Sequence, residues 1–170
     1  NRWVALKIQK SRGEACEREL LWYSFLQVYP HPHVLGMQDY FPVVNGKTVM
    51  LQTVHELCAS SLWNVFKVER DGLEAGCLRQ HMTDIVSGVG HMHRHQLVHG
   101  DLSMTNLLVD LQGRIKVSDF GSAFTALSLL GTVSDFSTGY VRAPECVLSS
   151  TARLFCSIDS WAIGVVFFCL

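Results

Sequence analysis

Leu78, Met82, Ile85, Val89 and Met92 recur at alternating steps of four and three residues, the spacing of one apolar face of a helix. Gly88 and Gly90 interrupt that face, and close packing against a neighbour accounts for small residues there. Elsewhere the pattern changes. Trp3 to Ile8 is a short apolar run with one lysine inside it and predicts a strand. Glu14 to Val28 is acidic early and densely apolar later, at Leu20, Leu21, Trp22, Phe25 and Leu26, which predicts a helix stopped by Pro30 and Pro32. Val34 to Phe41 and Lys47 to Val54 read as strands joined across Asn45-Gly46, a hairpin signal. A short helix is expected over Ser61 to Val68. Leu107 to Val109 and Arg114 to Val117 read as short strands turned by Asp110 to Gly113. A long loop then runs to about Pro144, and a helix starts at Ser157. The first third is mostly strand with one helix and the remainder mostly helix with a small strand pair. That order predicts an α+β fold in two lobes, residues 1–57 and 58–170, with the hinge near Glu56 to Ala59.

Composition narrows this picture. The 170 residues are 48% hydrophobic and 17% charged, enough apolar material for a packed core. A net charge of −1 gives no electrostatic support for binding nucleic acid. The six cysteines form no C-x-x-C pair and read as reduced, buried residues of a cytoplasmic or nuclear protein rather than zinc ligands. The apolar run Trp161 to Leu170 is about half the ~20 residues a membrane span requires, so a core helix is expected and no membrane association. The chain opens without a signal peptide or an initiator methionine, and both termini read as truncation points.

The candidate chemistry lies in the second half. In His99-Gly-Asp-Leu-Ser-Met-Thr-Asn106 an aspartate and an asparagine stand five apart, and Asp119-Phe120-Gly121 begins thirteen residues after the asparagine. Phosphoryl transfer requires a hydroxyl oriented for in-line attack and hard cations to neutralise phosphate charge. Asp101 suits the first task, and Asp119 and Asn106 carry the oxygen ligands that Mg²⁺ prefers. Each piece alone is a weak signal, since an aspartate in a loop is usually a turn former. Their order and spacing together are specific. His91, His93 and His95 fall at steps of two, which point to different sides of a helix, and are expected to form a solvated helix end rather than a metal cluster.

On these residues the chain resembles the eukaryotic protein kinase catalytic domain. Val4-Ala5-Leu6-Lys7 is similar to the V-A-I-K strand, which implies that Lys7 holds the α/β-phosphates of ATP. Glu19 would pair with Lys7 from the following helix, with Glu17 as the fallback. His99-Gly100-Asp101 resembles the H-R-D loop, and Ala143-Pro144-Glu145 the end of the activation segment. Asp159-Ser-Trp161-Ala-Ile-Gly164 resembles the D-x-W-x-x-G helix that supports the catalytic loop. By the same resemblance Asp101 orients the substrate hydroxyl, and Asn106 and Asp119 hold Mg²⁺. Ala5 and Leu108 sandwich the adenine, His55 takes the gatekeeper position, and Glu56, Leu57 and Cys58 supply hinge backbone. Thr138-Gly-Tyr-Val-Arg-Ala-Pro-Glu145 is similar to the corresponding stretch of cyclin-dependent and MAP kinases, with Arg142 its most telling residue. It implies serine or threonine as the acceptor in a protein substrate. A cyclin-like regulatory subunit is compatible with that group, but Glu14 to Val28 carries no sequence that identifies one.

Three departures bear on activity. Gly100 replaces an arginine that pairs with an activation-loop phosphate, so Thr132 and Ser134, the candidate phosphosites, should matter less. Ser103 replaces a lysine near the transferring phosphoryl group, a contact whose loss costs on the order of 10² to 10³ in rate. The glycine-rich loop expected before Asn1, and later helices including one with an arginine for Glu145, are not in the chain. The piece is therefore expected to expose apolar surface around its two long C-terminal helices. Two competing readings follow: a pseudokinase that binds ATP without turnover, and a small-molecule phosphotransferase. The Ala-Pro-Glu, Asp-Phe-Gly and Asp-x-Trp-x-x-Gly motifs count against the second.

Overall fold

Alternation along the first strand, β1 (Val4–Gln9), turns Ala5, Lys7 and Gln9 to a half-buried face and leaves Val4, Leu6 and Ile8 exposed. The computed structural model describes residues 3–9, 14–45, 48–69, 72–126, 141–148 and 156–170. Helix α1 (Glu14–Val28) has the predicted bounds and stops ahead of Pro30. Strands β2 (Met37–Asn45) and β3 (Thr48–Glu56) pair antiparallel with Asn45 opposite Thr48, and β3 also pairs with β1, giving the order β1-β3-β2. Gly46 of the expected turn lies outside the described residues.

Leu57 alone separates β3 from β4 (Cys58–Ser61), within the stretch Glu56 to Ala59 where the hinge is expected. The Ser61 hydroxyl accepts a hydrogen bond from the Asn64 amide at 3.3 Å and caps α2 (Leu62–Val68). The long helix α3 (Ala75–Arg94) buries Ile85, Val89 and Met92 of the predicted stripe. It is followed by β5 (Leu97–Val98), β6 (Leu107–Asp110), β7 (Ile115–Val117), a 3₁₀ turn at Phe120–Ser122 and β8 (Phe124–Thr125). Helices α4 (Pro144–Leu148) and α5 (Ser157–Cys169) complete the described residues. Strands β4-β6-β7 form a second small sheet and β5-β8 a third. The core runs through both halves, with Leu62, Ile85, Met92, Leu107, Ile115 and Phe120 fully buried. Among the described residues no helix is long and apolar enough to cross a membrane. Large apolar side chains are exposed at Val86, Trp161, Phe167 and Phe168 on the two helices where the sequence led us to expect them, and also at Trp3 and Leu148, where it did not.

Several sequence expectations are corrected. The strand expected from Val34 starts only at Met37, because the preceding residues pair elsewhere. The Leu35 amide donates to the Val117 carbonyl at 2.8 Å and the Val117 amide to the His33 carbonyl at 3.0 Å. The loop expected up to Pro144 contains the 3₁₀ turn and β8, elements too short for periodicity to reveal. Helix α4 begins at Pro144, a residue suited to the first helical turn, and its five residues are likewise too few to show a period. The three histidines do not form a solvated helix end. His93 Nε2 lies 2.8 Å from the buried Asp159 Oδ2, and His91 Nε2 lies 2.9 Å from the Tyr29 carbonyl oxygen. His95 packs on the Tyr29 ring with centroids 4.5 Å apart.

The two helix glycines also differ from each other. A Cβ on Gly88 would stand 2.5 Å from the His33 carbonyl oxygen, so the backbone of the 33–35 segment approaches α3 only because Gly88 lacks one. A Cβ on Gly90 would meet nothing within 4 Å, and close packing does not explain that residue. Gly88→Ala should therefore destabilise the fold by about 1–3 kcal/mol. Gly90→Ala should stabilise it by about 0.5–1 kcal/mol. Urea unfolding of the two variants beside the parent checks the opposite signs.

Candidate active site

A cavity of about 300 Å³ opens between the β1-β3-β2 sheet and the β6-β7 hairpin. Seven of the residues expected around a nucleotide line it: Ala5, Lys7, His55, Glu56, Cys58, Leu108 and Asp119. Asn106 lines it as well. Strand alternation explains the upper wall, since Ala5 and Lys7 share one face of β1. Leu57, expected in the hinge, is exposed.

Lys7 joins three elements. Its Nζ donates to Glu19 Oε1 at 2.6 Å and to Asp119 Oδ1 at 3.0 Å. Glu19, not the exposed Glu17, is thus the partner. Burial works against the Lys7 charge, but the Glu19 and Asp119 carboxylates outweigh it and hold its pKa above the ordinary lysine value. Glu19 is buried while much of Lys7 remains exposed. Burial pushes the Glu19 carboxyl above the usual range despite the opposing pull of Lys7.

Helix α1 is also fastened to the segment that carries Asp119. The Trp22 indole donates to the Ala123 carbonyl at 2.9 Å, and Arg18 Nη1 to the Gly121 carbonyl at 3.4 Å. The Tyr23 ring lies between His55 and Phe120, with centroid separations of 4.7 and 4.9 Å. Phe120 in turn contacts His99 at 5.6 Å. Burial, then the Glu19 charge, push the Tyr23 phenol well above its ordinary pKa, so it remains neutral.

His55, expected at the gatekeeper position, is a buried side chain bonded at both ring nitrogens. Its Nδ1 lies 3.1 Å from the Gly36 carbonyl and its Nε2 2.9 Å from the Thr53 hydroxyl. Burial lowers its pKa, which keeps the ring neutral. In the same wall, burial and the Glu56 charge push the Cys58 thiol up to about 11. Lys116 Nζ lies 2.8 Å from Glu56 Oε1 and pairs with that carboxylate.

On the lower side, Asn106 Nδ2 donates to the Asp101 carbonyl at 2.8 Å and to Asp101 Oδ2 at 3.3 Å. This leaves the Asn106 Oδ1 acceptor for other partners, with the Thr105 hydroxyl 3.5 Å from it. His99 accepts the Asp101 amide on Nδ1 at 3.2 Å and donates from Nε2 to the Ser118 carbonyl at 2.9 Å. Beneath this loop lies the buried Asp159, which receives the His99 amide at 2.8 Å and the Gly100 amide at 3.0 Å as well as His93. Gly100 has φ of +78°, a conformation costly for residues with a side chain. Ser103 is buried, its hydroxyl 2.7 Å from that of Thr105. Lys7 is the one lysine or arginine among the described residues that line the cavity.

No group of three or more His, Cys, Asp or Glu side chains suited to a metal occurs among the described residues. Asp119 and Asn106 face one cavity with oxygen donors, a set that fits a hard cation completing its shell with phosphate oxygens and water. Thr132, Ser134 and Thr138 lie outside the described residues. Arg142, Ala143 and the first turn of α4 lie within them, and Glu145 Oε1 accepts from the Ser157 hydroxyl at 3.2 Å. Sequence reasoning missed Gln9, Trp22, Tyr23 and His93. Gln9 stands two residues from Lys7 on the same strand face and Tyr23 four from Glu19 on the same helix face. Both were recoverable from periodicity once the Lys7–Glu19 pair was assigned.

The family model described as "Protein kinase domain" matches residues 1–170. The chain is 31% identical to a carbon catabolite-derepressing protein kinase of Candida albicans over 97% of its own length and 26% of that protein's. It is 30% identical to the MAPK/MAK/MRK overlapping kinase of Mus musculus over 98% of its length and 39% of that protein's. With cyclin-dependent kinase-like 4 of Mus musculus it shares 27% identity over 84% of its length and 40% of that protein's. The chain thus spans between 26% and 40% of the length of these relatives.

Because Asp159 is the buried acceptor for three donors, its charge should matter beyond its volume. Asp159→Asn turns an N–H group toward N–H donors and should cost about 2–3 kcal/mol. Chemical denaturation checks this figure. A change below 0.5 kcal/mol would mean that the loop is held by other contacts.

Proposed function

Since this chain belongs to the protein kinase domain family, we propose that it transfers the γ-phosphoryl group of ATP to serine or threonine hydroxyls of a protein substrate. The observation that carries this reading is the convergence of Lys7, Asn106 and Asp119 on one cavity, with Glu19 bonded to Lys7 and Asp101 to Asn106. Ala5 and Leu108 flank the space for the adenine, and the backbone from Glu56 to Cys58 runs along its edge. Lys7 holds the α/β-phosphates, with Glu19 fixing its direction. Asp101 orients the attacking hydroxyl and receives its proton as the oxygen bonds to phosphorus and ADP leaves. Mg²⁺, when bound, neutralises phosphate charge, and Asp119 and Asn106 are the residues to hold it.

The serine/threonine assignment and the place beside cyclin-dependent and MAP-type kinases rest on Arg142-Ala143-Pro144-Glu145. The names of two of the relatives support the second assignment. The six free thiols suit a reducing compartment, the cytoplasm or nucleus. A regulatory subunit of cyclin type is compatible with this group. One observation favours a non-catalytic variant of the fold: the buried Ser103 leaves Lys7 as the only lysine or arginine among the described residues lining the cavity.

Phosphate transfer from γ-labelled ATP to a generic basic protein, measured with the full-length protein, separates the two. Active enzyme should transfer label, and Asp101→Asn should reduce the rate by about 10² to 10⁴. ATP–Mg²⁺ binding without any transfer would turn the assignment to a nucleotide-binding scaffold.

A further inference from the structure

Glu19 presents two carboxylate oxygens in a buried position, and both require donors if the group is to carry charge there. Lys7 serves Oε1. Oε2 is served by the side-chain amide of Gln9, two residues along β1 from Lys7 and on the same strand face. The amide has two ends, and only its NH₂ end helps a carboxylate, because its oxygen would repel one. The direction of that amide is set by a third residue. The Cys16 thiol, one helical turn before Glu19 on α1, donates to Gln9 Oε1 and so turns the NH₂ end to Glu19.

We propose that Gln9 is a positioning residue for phosphoryl transfer, holding the Glu19 carboxylate in register with Lys7, and that Cys16 fixes which way its amide faces. This rests on the kinase reading above. Four polar side chains then form one chain of donors and acceptors from Cys16 through Gln9 and Glu19 to Lys7, which ends on Asp119. The charged or titratable groups around Glu19 are Lys7 from β1, Asp119 ahead of the 3₁₀ turn, and Cys16 and Tyr23 from its own helix. Burial pushes the Glu19 carboxyl up. Lys7 pulls it back, Asp119 adds to the push, and the Gln9 amide pulls back again. Burial, then the Glu19 and Glu17 charges, push the Cys16 thiol up, so it stays protonated and remains a donor.

Removing Gln9 leaves Oε2 without this donor and raises the Glu19 pKa further. At any given pH a smaller fraction is ionised and able to pair with Lys7. The loss of activity is therefore largest on the acid side and shrinks as the pH rises.

The test uses the full-length protein, with kcat and KM for ATP measured from pH 5.5 to 8.5. In parallel, the Glu19 side-chain carboxyl is titrated by ¹³C NMR, its signal identified by loss in Glu19→Gln. Gln9→Leu should lower kcat/KM about tenfold at pH 7, the weight of one hydrogen bond to a charged group. It should also move both the acid limb and the Glu19 midpoint to higher pH. Cys16→Ala should move them in the same direction by less, and Cys16→Ser, which keeps a donor, should restore them. A uniform drop with an unshifted acid limb, or an unmoved Glu19 midpoint, would overturn the role of Gln9. Absence of transfer by the parent protein at every pH would instead sink the kinase reading, and the carboxyl midpoint would then decide alone whether Gln9 governs Glu19.

Discussion

A carboxylate taken out of water costs several kcal/mol unless its partners are excellent, and Glu19 is such a carboxylate. Much of the site's architecture follows from supplying those partners. Lys7 must reach it from β1, which fixes the rotation of the strand, and α1 must hold one register against the sheet. That register is secured at points remote from the charge: Trp22 on the Ala123 carbonyl, Arg18 on the Gly121 carbonyl, and Tyr23 wedged between His55 and Phe120. Because Lys7 also bonds Asp119, the ion pair measures the positions of three separate segments at once. A shift of α1 that breaks one contact leaves a buried charge without its pair, so the arrangement has a strong preference for all contacts together.

The lower half solves the same problem with a second buried carboxylate. Asp159 receives two backbone amides and a histidine, and those amides belong to His99 and Gly100, immediately before Asp101. Holding consecutive amides on one carboxylate bends the backbone at residue 100 to positive φ, where glycine is free of the strain that any side chain adds. The absence of an arginine at Gly100 thus has a conformational side as well as an electrostatic one. The loop is easier to form with glycine at that position.

Helices α1, α3 and α5 were legible because each carries many residues of one pattern or a firm stop, such as Pro30 after Val28. The site was legible because Lys7, Asp101, Asn106 and Asp119 are recognisable by type and spacing before any geometry is known. What escaped falls into two kinds. Helix α4, β8 and the 3₁₀ turn are too short to display a period. His91 and His93 face partners at Tyr29 and Asp159, far away in sequence, and a local pattern that marks a polar helix end cannot report such partners. The late start of β2 belongs to the second kind, since Val34 and Leu35 are as apolar as any strand residue but are claimed by Val117.

That claim explains how the two halves keep a fixed cleft while joined at Leu57. A single connecting residue would act as a pivot. The backbone of His33 to Leu35 adds a second attachment by pairing with Val117 on β7 and lying against α3 where Gly88 gives it room. The segment follows α1 directly, so the helix that carries Glu19 is tied at its C-terminal end to the half that carries Asp101 and Asp119. His31 stacks on His91 of α3 at 4.7 Å beside this attachment, and burial followed by the neighbouring histidines lowers its pKa. A histidine whose folded pKa lies below its unfolded value stabilises the neutral form. Its contribution is complete above the unfolded pKa and is lost as the pH falls through the folded one. The attachment is accordingly strongest above the unfolded histidine pKa and weakens in acid, and with it the placement of α1, the helix that carries Glu19.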